Sequence, residues 1–254
     1  MGWFDMGNRP DTVPMARLDG SAEVSRCAAA VDLAFICATI LVLHIAPRHW
    51  INSLLGTSEP ITASTVNVVL NLAVGMTIAV GLMLVRGSRL ESLGIRTSQV
   101  GAQVIAGLWA ALSIHALTLS LFIAEYVLPL VARWWSGGAP AGSDQVADQA
   151  EMASSGSVGA TLAFFAIVAV EEELLFRGLL LRYLAYLTRD RWVAILVSSL
   201  VFAVLHLPAG GQGVLVALWT GLVLGSYFMR KGSLLTVIVA HFLYNVSQWW
   251  ISRL

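Results

Sequence analysis

Seven long apolar runs, each bounded by polar residues, limit what this chain can fold into. A helix needs about 20 residues to cross the roughly 30 Å hydrocarbon core of a bilayer. The runs cover residues 28–47, 65–85, 100–131, 159–181, 192–207, 213–229 and 233–252. The third is longer than one crossing needs, and the fifth is short. The sequence therefore predicts an all-α fold, a polytopic transmembrane helical bundle of about seven spans.

Composition supports a membrane protein and argues against a nucleic-acid partner. Of the 254 residues, 57% are hydrophobic and 12% are charged, whereas soluble domains have about 45–50% apolar and about 25% charged residues. The formal net charge is +0, so the chain has no excess of basic residues for binding nucleic acid. Cys27 and Cys37 lack the spacing of a metal site, and we expect both to pack within the first span.

The basic residues predict how the spans are oriented and how the chain is divided. They concentrate in the N-terminal tail and in the connections after spans 2, 4 and 6. Since cytoplasmic connections carry an excess of Lys and Arg, the N-terminus is predicted in the cytoplasm and the C-terminus outside a bacterial-type plasma membrane. The predicted parts are a cytoplasmic tail (1–27), spans 1 to 3 (28–131), an acidic extracytoplasmic loop (132–158) and spans 4 to 7 (159–254).

Span 4 carries charged residues at a depth where charge is costly. A charged side chain at the centre of a membrane helix costs about 2.5–3.5 kcal/mol, yet Glu171, Glu172, Glu173 and Arg177 all fall in this span. Glu173 and Arg177 are four residues apart, so they share a helix face and can neutralise each other. Glu172 points elsewhere and has no such partner on its own helix.

Two histidines and an amide occupy spans 5 and 7. His241 and Asn245 share one face of span 7, and His241 lies ten residues, or about 15 Å, from Lys231 at the cytoplasmic end. His206 lies fifteen residues, or about 22 Å, from Arg191. Either span 5 begins in the cytoplasm, which we favour, or His206 lies closer to the outer face. Taken singly, His241 and Asn245 would be explained by hydrogen bonding between helices, and His206 by packing in the core.

The combination of these residues predicts hydrolysis of an amide bond. That reaction needs a base for water, a group that protonates the leaving nitrogen, and donors for the oxyanion. The carboxylate of Glu172, the imidazoles of His206 and His241 and the amide of Asn245 can fill these roles. Three neighbouring spans supply them at similar depths.

Polar residues in the other spans have simpler interpretations. We expect Asp32, His44 and Glu125 to snorkel to the membrane interface from near the ends of their spans. His115 falls in the middle of span 3, where packing is the default interpretation.

Three short motifs in the last four spans resemble a known family. They are Glu172-Glu173-x-x-x-Arg177, Phe202-x-x-x-His206 and His241-x-x-x-Asn245, in this order and each within a span. Together they resemble the CPBP family, the intramembrane proteases of the type II CAAX prenyl protease, Abi and bacteriocin-processing group. The resemblance covers about residues 160–250. It implies a conical cavity within spans 4 to 7 that opens toward the cytosol and the membrane.

The resemblance also implies roles for the residues that match. Glu172 and His206 would activate a water, His241 and Asn245 would hold the oxyanion, and the Glu173–Arg177 pair would be structural. The family is often labelled a metalloprotease family, and Glu172, His206 and His241 include the residue types that ligate zinc. The sequence has no H-E-x-x-H, however, and we favour metal-free hydrolysis with no cofactor required.

These observations favour an intramembrane endopeptidase that acts near the C-terminus of a membrane-associated peptide or a lipidated protein, including a prenylated CAAX-type protein. The expected partners are the lipid bilayer and that substrate. Two other classes remain as alternatives. One is a catalytically silent binding scaffold. The other is a proton-coupled transporter, since intramembrane Glu, His and Arg also form proton relays; the chain lacks the inverted repeat that many transporters show.

Overall fold

Helices make up the fold throughout the described part of the chain. The computed structural model describes residues 25–45, 60–86, 93–127, 158–251 and 253, and these ranges contain no strand. Most of the predicted tail (1–27) and nearly all of the predicted outer loop (132–158) lie outside the described residues. The all-α prediction is therefore confirmed for the described residues, and the tail and loop remain predictions.

The described residues form eight α-helices. Two of these helices are joined by a π-helical stretch into one continuous rod. The helices are α1 (Arg26–Ile45), α2 (Pro60–Arg86), α3 (Val100–Phe122), α4 (Val158–Glu173), α5 (Leu181–Thr188), α6 (Arg191–Val204), α7 (Gly210–Lys231) and α8 (Leu234–Ile251). A π-helical turn extends α3 over Ile123–Val127, and a longer π-helical stretch, Leu174–Leu180, joins α4 to α5 as one rod. Each predicted span overlaps one of these helices or the rod.

Three helices in the described ranges are long and apolar enough to cross a membrane. They are Val100–Phe122, Leu207–Lys231 and Leu234–Ile251. The helix α6 is apolar but has only 14 residues, or about 21 Å, which is less than the hydrocarbon thickness. The helices support an integral membrane protein, whereas the span count, the orientation and the cavity remain predictions.

Glycines allow the helices of the C-terminal half to approach one another closely. A Cβ added at Gly107 of α3 would lie 2.8 Å from the carbonyl oxygen of Thr236 on α8. A Cβ added at Gly221 of α7 would lie 2.9 Å from the Cβ of Ser199 on α6. Small residues at such crossings let backbones pack closely in membrane bundles. These two contacts hold α8 against α3 and α7 against α6.

Polar side chains also tie α3 to α8. The Thr236 hydroxyl donates to the Gln103 carbonyl oxygen at 3.1 Å, and the Ser233 hydroxyl donates to the Gln103 side-chain oxygen. Nearer the other end, His115 contacts the Ser247 hydroxyl, and its ring packs edge-on against Tyr244 at 5.2 Å. His115 therefore packs, as expected, and also bonds across the helix interface. These links fix the position of α8, which carries His241 and Asn245.

The first helix departs from two expectations. Asp32 does not snorkel: it is buried, and the Tyr183 hydroxyl of α5 donates to its carboxylate at 3.2 Å. The sequence pattern of a single span cannot reveal a partner that lies on another helix, 151 residues away. Cys27 and Cys37 are both exposed on α1, so the expectation that they pack inside was wrong. Exposed apolar side chains such as Val31 and Phe35 share that helix, and a bilayer would solvate such a surface.

Candidate active site

The acid run lies where the rod changes from α-helix to π-helix. Glu171, Glu172 and Glu173 end α4, and Arg177 falls within the π-helical stretch that follows. Glu171 and Glu173 are buried, whereas the Glu172 side chain retains 15% of its exposure. Among the three acids, Glu172 is thus the one that a water or a substrate can reach. Insertions of π-helix within α-helices are frequent at functional sites.

Glu173 is held by two partners through one oxygen. The Arg177 guanidinium donates to Glu173 Oε1 at 2.8 Å. His241, which comes from α8, contacts the same oxygen through Nδ1, also at 2.8 Å. All three side chains are buried. A buried carboxylate needs charged or hydrogen-bonding partners to offset its desolvation, and this network supplies both.

The bond to Glu173 also orients the second nitrogen of His241. A carboxylate oxygen accepts, so Nδ1 carries the proton, and Nε2 is left to face the rest of the site. His241 Nε2 lies 3.6 Å from Glu172 Oε2. The reachable carboxylate and a buried imidazole are therefore brought together from two helices. The approach of Nε2 to Oε2 is favourable when either the His241 imidazole is doubly protonated or the Glu172 carboxyl is protonated.

Phe202 connects the remaining histidine to this network. Its buried ring lies 4.9 Å from Arg177 Cζ and 4.9 Å from the Phe176 ring. The His206 ring packs on it at 4.6 Å, and the His241 ring lies 6.3 Å away. A guanidinium over an aromatic face is attracted by the ring quadrupole. One phenyl ring thus contacts side chains from two of the three motifs and approaches the third.

His206 lies just beyond the end of α6, although predicted span 5 runs to residue 207. The helix α6 ends at Val204, and His206 Nδ1 lies 2.8 Å from the Phe202 carbonyl oxygen. A carbonyl oxygen only accepts, so Nδ1 donates and Nε2 remains an acceptor. The ring is half-buried. Pro208 was a signal for this helix end, since the residue before a proline is disfavoured in helix.

Asn245 lies one turn beyond His241 on α8 and is half-buried. No hydrogen bond of its amide is seen among the described residues. The half-buried residues of the predicted set are therefore Glu172, His206 and Asn245. The buried ones are Glu173, Arg177 and His241. This division separates side chains that a substrate can reach from those that support them.

Sequence reasoning missed three features of the site. The contact of His241 with Glu173 joins residues 68 apart, and helical periodicity can pair only residues on one helix. The central position of the Phe202 ring was missed as well, although the spacing to His206 placed both on one helix face. Ser198 of α6, which donates to the Phe176 carbonyl oxygen at 3.4 Å, carried no signal in the sequence.

The positions of the candidate ligands can be compared with the requirements of a catalytic zinc site. Within the described ranges, no group of three His, Cys, Asp or Glu side chains is arranged to hold a metal ion. Glu172 and His241 approach each other closely, but His206 does not join them as a third ligand. The side chains as arranged therefore do not form the three-ligand site that catalytic zinc requires.

Comparison with known proteins supports the resemblance seen in the motifs. Residues 154–247 match the family model described as Type II CAAX prenyl endopeptidase Rce1-like. All three motifs fall within the matched residues. No curated protein and no solved structure matches the chain. The match supports assignment to the CPBP/CAAX protease family and confirms the recognition made from the sequence.

Proposed function

We propose that this protein is an intramembrane endopeptidase that hydrolyses a peptide bond near the C-terminus of a membrane-associated peptide or lipidated protein. One observation carries the proposal most directly. His241 Nε2 and the carboxylate of Glu172 lie 3.6 Å apart, and the imidazole is held in place by the buried Glu173–Arg177 pair. A reachable acid beside a fixed imidazole suits the activation of water and the stabilisation of developing charge.

Glu172 and His206 are assigned to the activation of water. As water attacks the scissile carbonyl carbon, Glu172 takes one of its protons. His206 directs Nδ1 at the Phe202 carbonyl oxygen, so Nε2 presents a lone pair that accepts a hydrogen bond from the same water. Neither residue is fully buried, which leaves both within reach of a substrate.

His241 and Asn245 are assigned to the oxyanion. Attack of water turns the scissile carbonyl oxygen into an anion, and preorganised donors aimed at that position contribute most to such catalysis. His241 donates from Nε2 when the imidazole is protonated, and Asn245 donates from its amide one turn away. The carbon–nitrogen bond then breaks as Glu172 passes its proton to the leaving nitrogen. The products are a carboxylic acid and an amine, and the carboxyl proton passes to the amine or to solvent water at neutral pH.

The substrate class is proposed from the family description and from where the acids lie. Glu172 lies ten residues before Arg182 along the rod, which places it inside predicted span 4. A scissile bond at that depth must be drawn into the membrane region, which favours substrates already bound to lipid. The description of the matching family as CAAX prenyl endopeptidases supports prenylated C-termini. Unmodified membrane peptides are the second substrate class to test.

A peptide panel tests this proposal. Purified protein in detergent is incubated with membrane peptides of one sequence, either farnesylated or unmodified, and the products are identified by mass spectrometry. We expect a single cut near the C-terminus. His206→Gln should reduce kcat at least tenfold. His115→Gln is the matched control: its amide can still hydrogen-bond the Ser247 hydroxyl that His115 contacts, so most of the activity should remain. Equal loss in both variants would argue that His206 acts only through the fold.

The same assay separates the alternatives. Binding of the peptides without any cleavage would favour the silent scaffold. Ion-coupled flux without cleavage would favour the transporter.

A chelator distinguishes metal-free hydrolysis from zinc-dependent hydrolysis. Metal-free hydrolysis predicts unchanged turnover in 1,10-phenanthroline. Turnover that is abolished by the chelator and restored by zinc would overturn the metal-free proposal.

A further inference from the structure

A second group of cations, outside the three motifs, has no assigned role. Arg182 begins the last turns of the rod and is only 4% exposed. Its Nε and Nη2 atoms are buried and have no hydrogen-bond partner. These two atoms form the edge of the guanidinium that binds carboxylates and phosphates with two parallel bonds. Within the described ranges, no carboxylate is paired with this edge.

An aromatic ring and a glycine lie against Arg182. The Phe228 ring of α7 lies 5.4 Å from Arg182 Cζ. A Cβ added at Gly94 would lie 2.9 Å from that ring, and Gly94 has a φ of 85° that side chains rarely adopt. The Gly94 carbonyl accepts from the Leu234 amide at 2.8 Å. The segment before α3 is thereby held against Phe228, the ring that contacts Arg182.

That segment brings a second guanidinium to the same place. Arg96 is exposed, and its Nη1 donates to the Lys231 carbonyl oxygen at the end of α7 at 3.3 Å. Burial, and after it the nearby charge of Arg96, lowers the pKa of Arg182 to about 10, so Arg182 is still charged at neutral pH. Arg230 and Lys231, in the last turn of α7, add two further cations. Among the described residues no acid is seen to pair with Arg182, and an anion would stabilise such a group of like charges.

We propose that Arg182 and Arg96 bind the phosphate group of a phospholipid in the cytoplasmic leaflet. Arg96 would form the exposed entrance and the Nε–Nη2 edge of Arg182 the buried end. A phosphate offers the several oxygens that two guanidinium groups need. The predicted topology puts these residues at the cytoplasmic ends of spans 4 and 6, where lipid phosphates are concentrated. A free phosphate shares the chemistry, so the experiment distinguishes the two sources.

Native mass spectrometry of the delipidated full chain tests the site. Phosphatidylglycerol is titrated in detergent, with a diacylglycerol of the same acyl chains as the probe without phosphate, and inorganic phosphate as competitor. We expect a bound phosphatidylglycerol whose affinity falls about tenfold in Arg182→Met and in Arg96→Gln. Arg189→Gln changes an exposed arginine outside the group and should bind as the wild type does.

The remaining outcomes of the titration would overturn either the site or its assignment to a lipid. Unchanged phosphatidylglycerol binding in both Arg182→Met and Arg96→Gln, or equal binding of the diacylglycerol, would overturn the site. Inorganic phosphate that binds as tightly as the lipid would assign the site to free phosphate and overturn the lipid. Where Arg182→Met fails to fold, Arg96→Gln decides, because its side chain is exposed. Peptide cleavage is not measured, so the result is independent of the proposed function.

Discussion

At the scale of single residues, the candidate site depends on one carboxylate oxygen that serves two partners. Glu173 Oε1 lies 2.8 Å from both Arg177 Nη1 and His241 Nδ1. If Glu173 lost Arg177, its buried carboxylate would keep only the imidazole of His241 as a partner, and removing one partner of a buried ion pair costs about 3–5 kcal/mol. The oxygen therefore links the stability of the bundle to the orientation of His241.

Arg177→Lys separates charge from shape in this network. Lysine keeps the positive charge but loses the planar group that lies over Phe202 at 4.9 Å and bonds Glu173. We expect a folded protein with kcat reduced about tenfold and KM little changed, since His241 is less well held. Arg177→Met should lower the thermal unfolding temperature in detergent more strongly than Arg177→Lys. Equal unfolding temperatures for wild type and Arg177→Met would contradict a stabilising pair.

How well the sequence predicts the site depends on whether two residues share a helix. The i, i+4 spacing predicted the Glu173–Arg177 pairing, and both side chains are in contact. The same reasoning gave Glu172 no partner on its own helix, and it could not show that His241 of α8 approaches Glu172. Asp32 was misjudged for the same reason, because Tyr183 belongs to another helix. Contacts between helices depend on packing, which the pattern along one helix does not contain.

At the scale of elements, apolar runs predicted where helices occur better than where they end. The predicted span 159–181 overlaps α4, but the change to π-helix at Leu174 left no mark in the hydrophobic pattern. Predicted span 5 passed the end of α6 because apolar residues continue into the turn before Pro208. Helix ends are determined by local backbone chemistry, whereas hydrophobicity reports only the environment.

Gly107→Leu tests whether the contact of α3 with α8 supports the site. No leucine side chain fits where a Cβ would already lie 2.8 Å from the Thr236 carbonyl oxygen. We expect the overpacking to cost about 1–3 kcal/mol and to reduce turnover, because α8 carries His241. Gly101→Leu, on the same helix with no atom within 4 Å of its added Cβ, is the control. Similar unfolding temperatures for the two variants would contradict this role for the glycine.

At the scale of the whole molecule, orientation in the membrane decides which face meets the substrate. The alternation of basic residues predicts a cytoplasmic connection after span 4 and an extracytoplasmic loop at 132–158. In a background without Cys27 and Cys37, Arg189→Cys should resist a membrane-impermeant maleimide added to intact cells, whereas Ser143→Cys should react. Permeabilised cells provide the control, because both positions should then react. The reverse labelling pattern would contradict the predicted topology.

The central claim is that Glu172, and neither neighbouring acid, activates water for peptide hydrolysis. The most direct measurement follows the cleavage of quenched-fluorescent farnesylated and unmodified peptides by protein in liposomes, with Glu171→Gln, Glu172→Gln and Glu173→Gln compared at equal folded protein. We predict that Glu172→Gln lowers kcat by about 10²–10⁴-fold, as loss of a general base does, while Glu171→Gln cleaves at a rate near that of the wild type. Glu173→Gln should fall between them. Wild-type protein that leaves every peptide intact, or a Glu172→Gln variant as active as the wild type, would contradict the account.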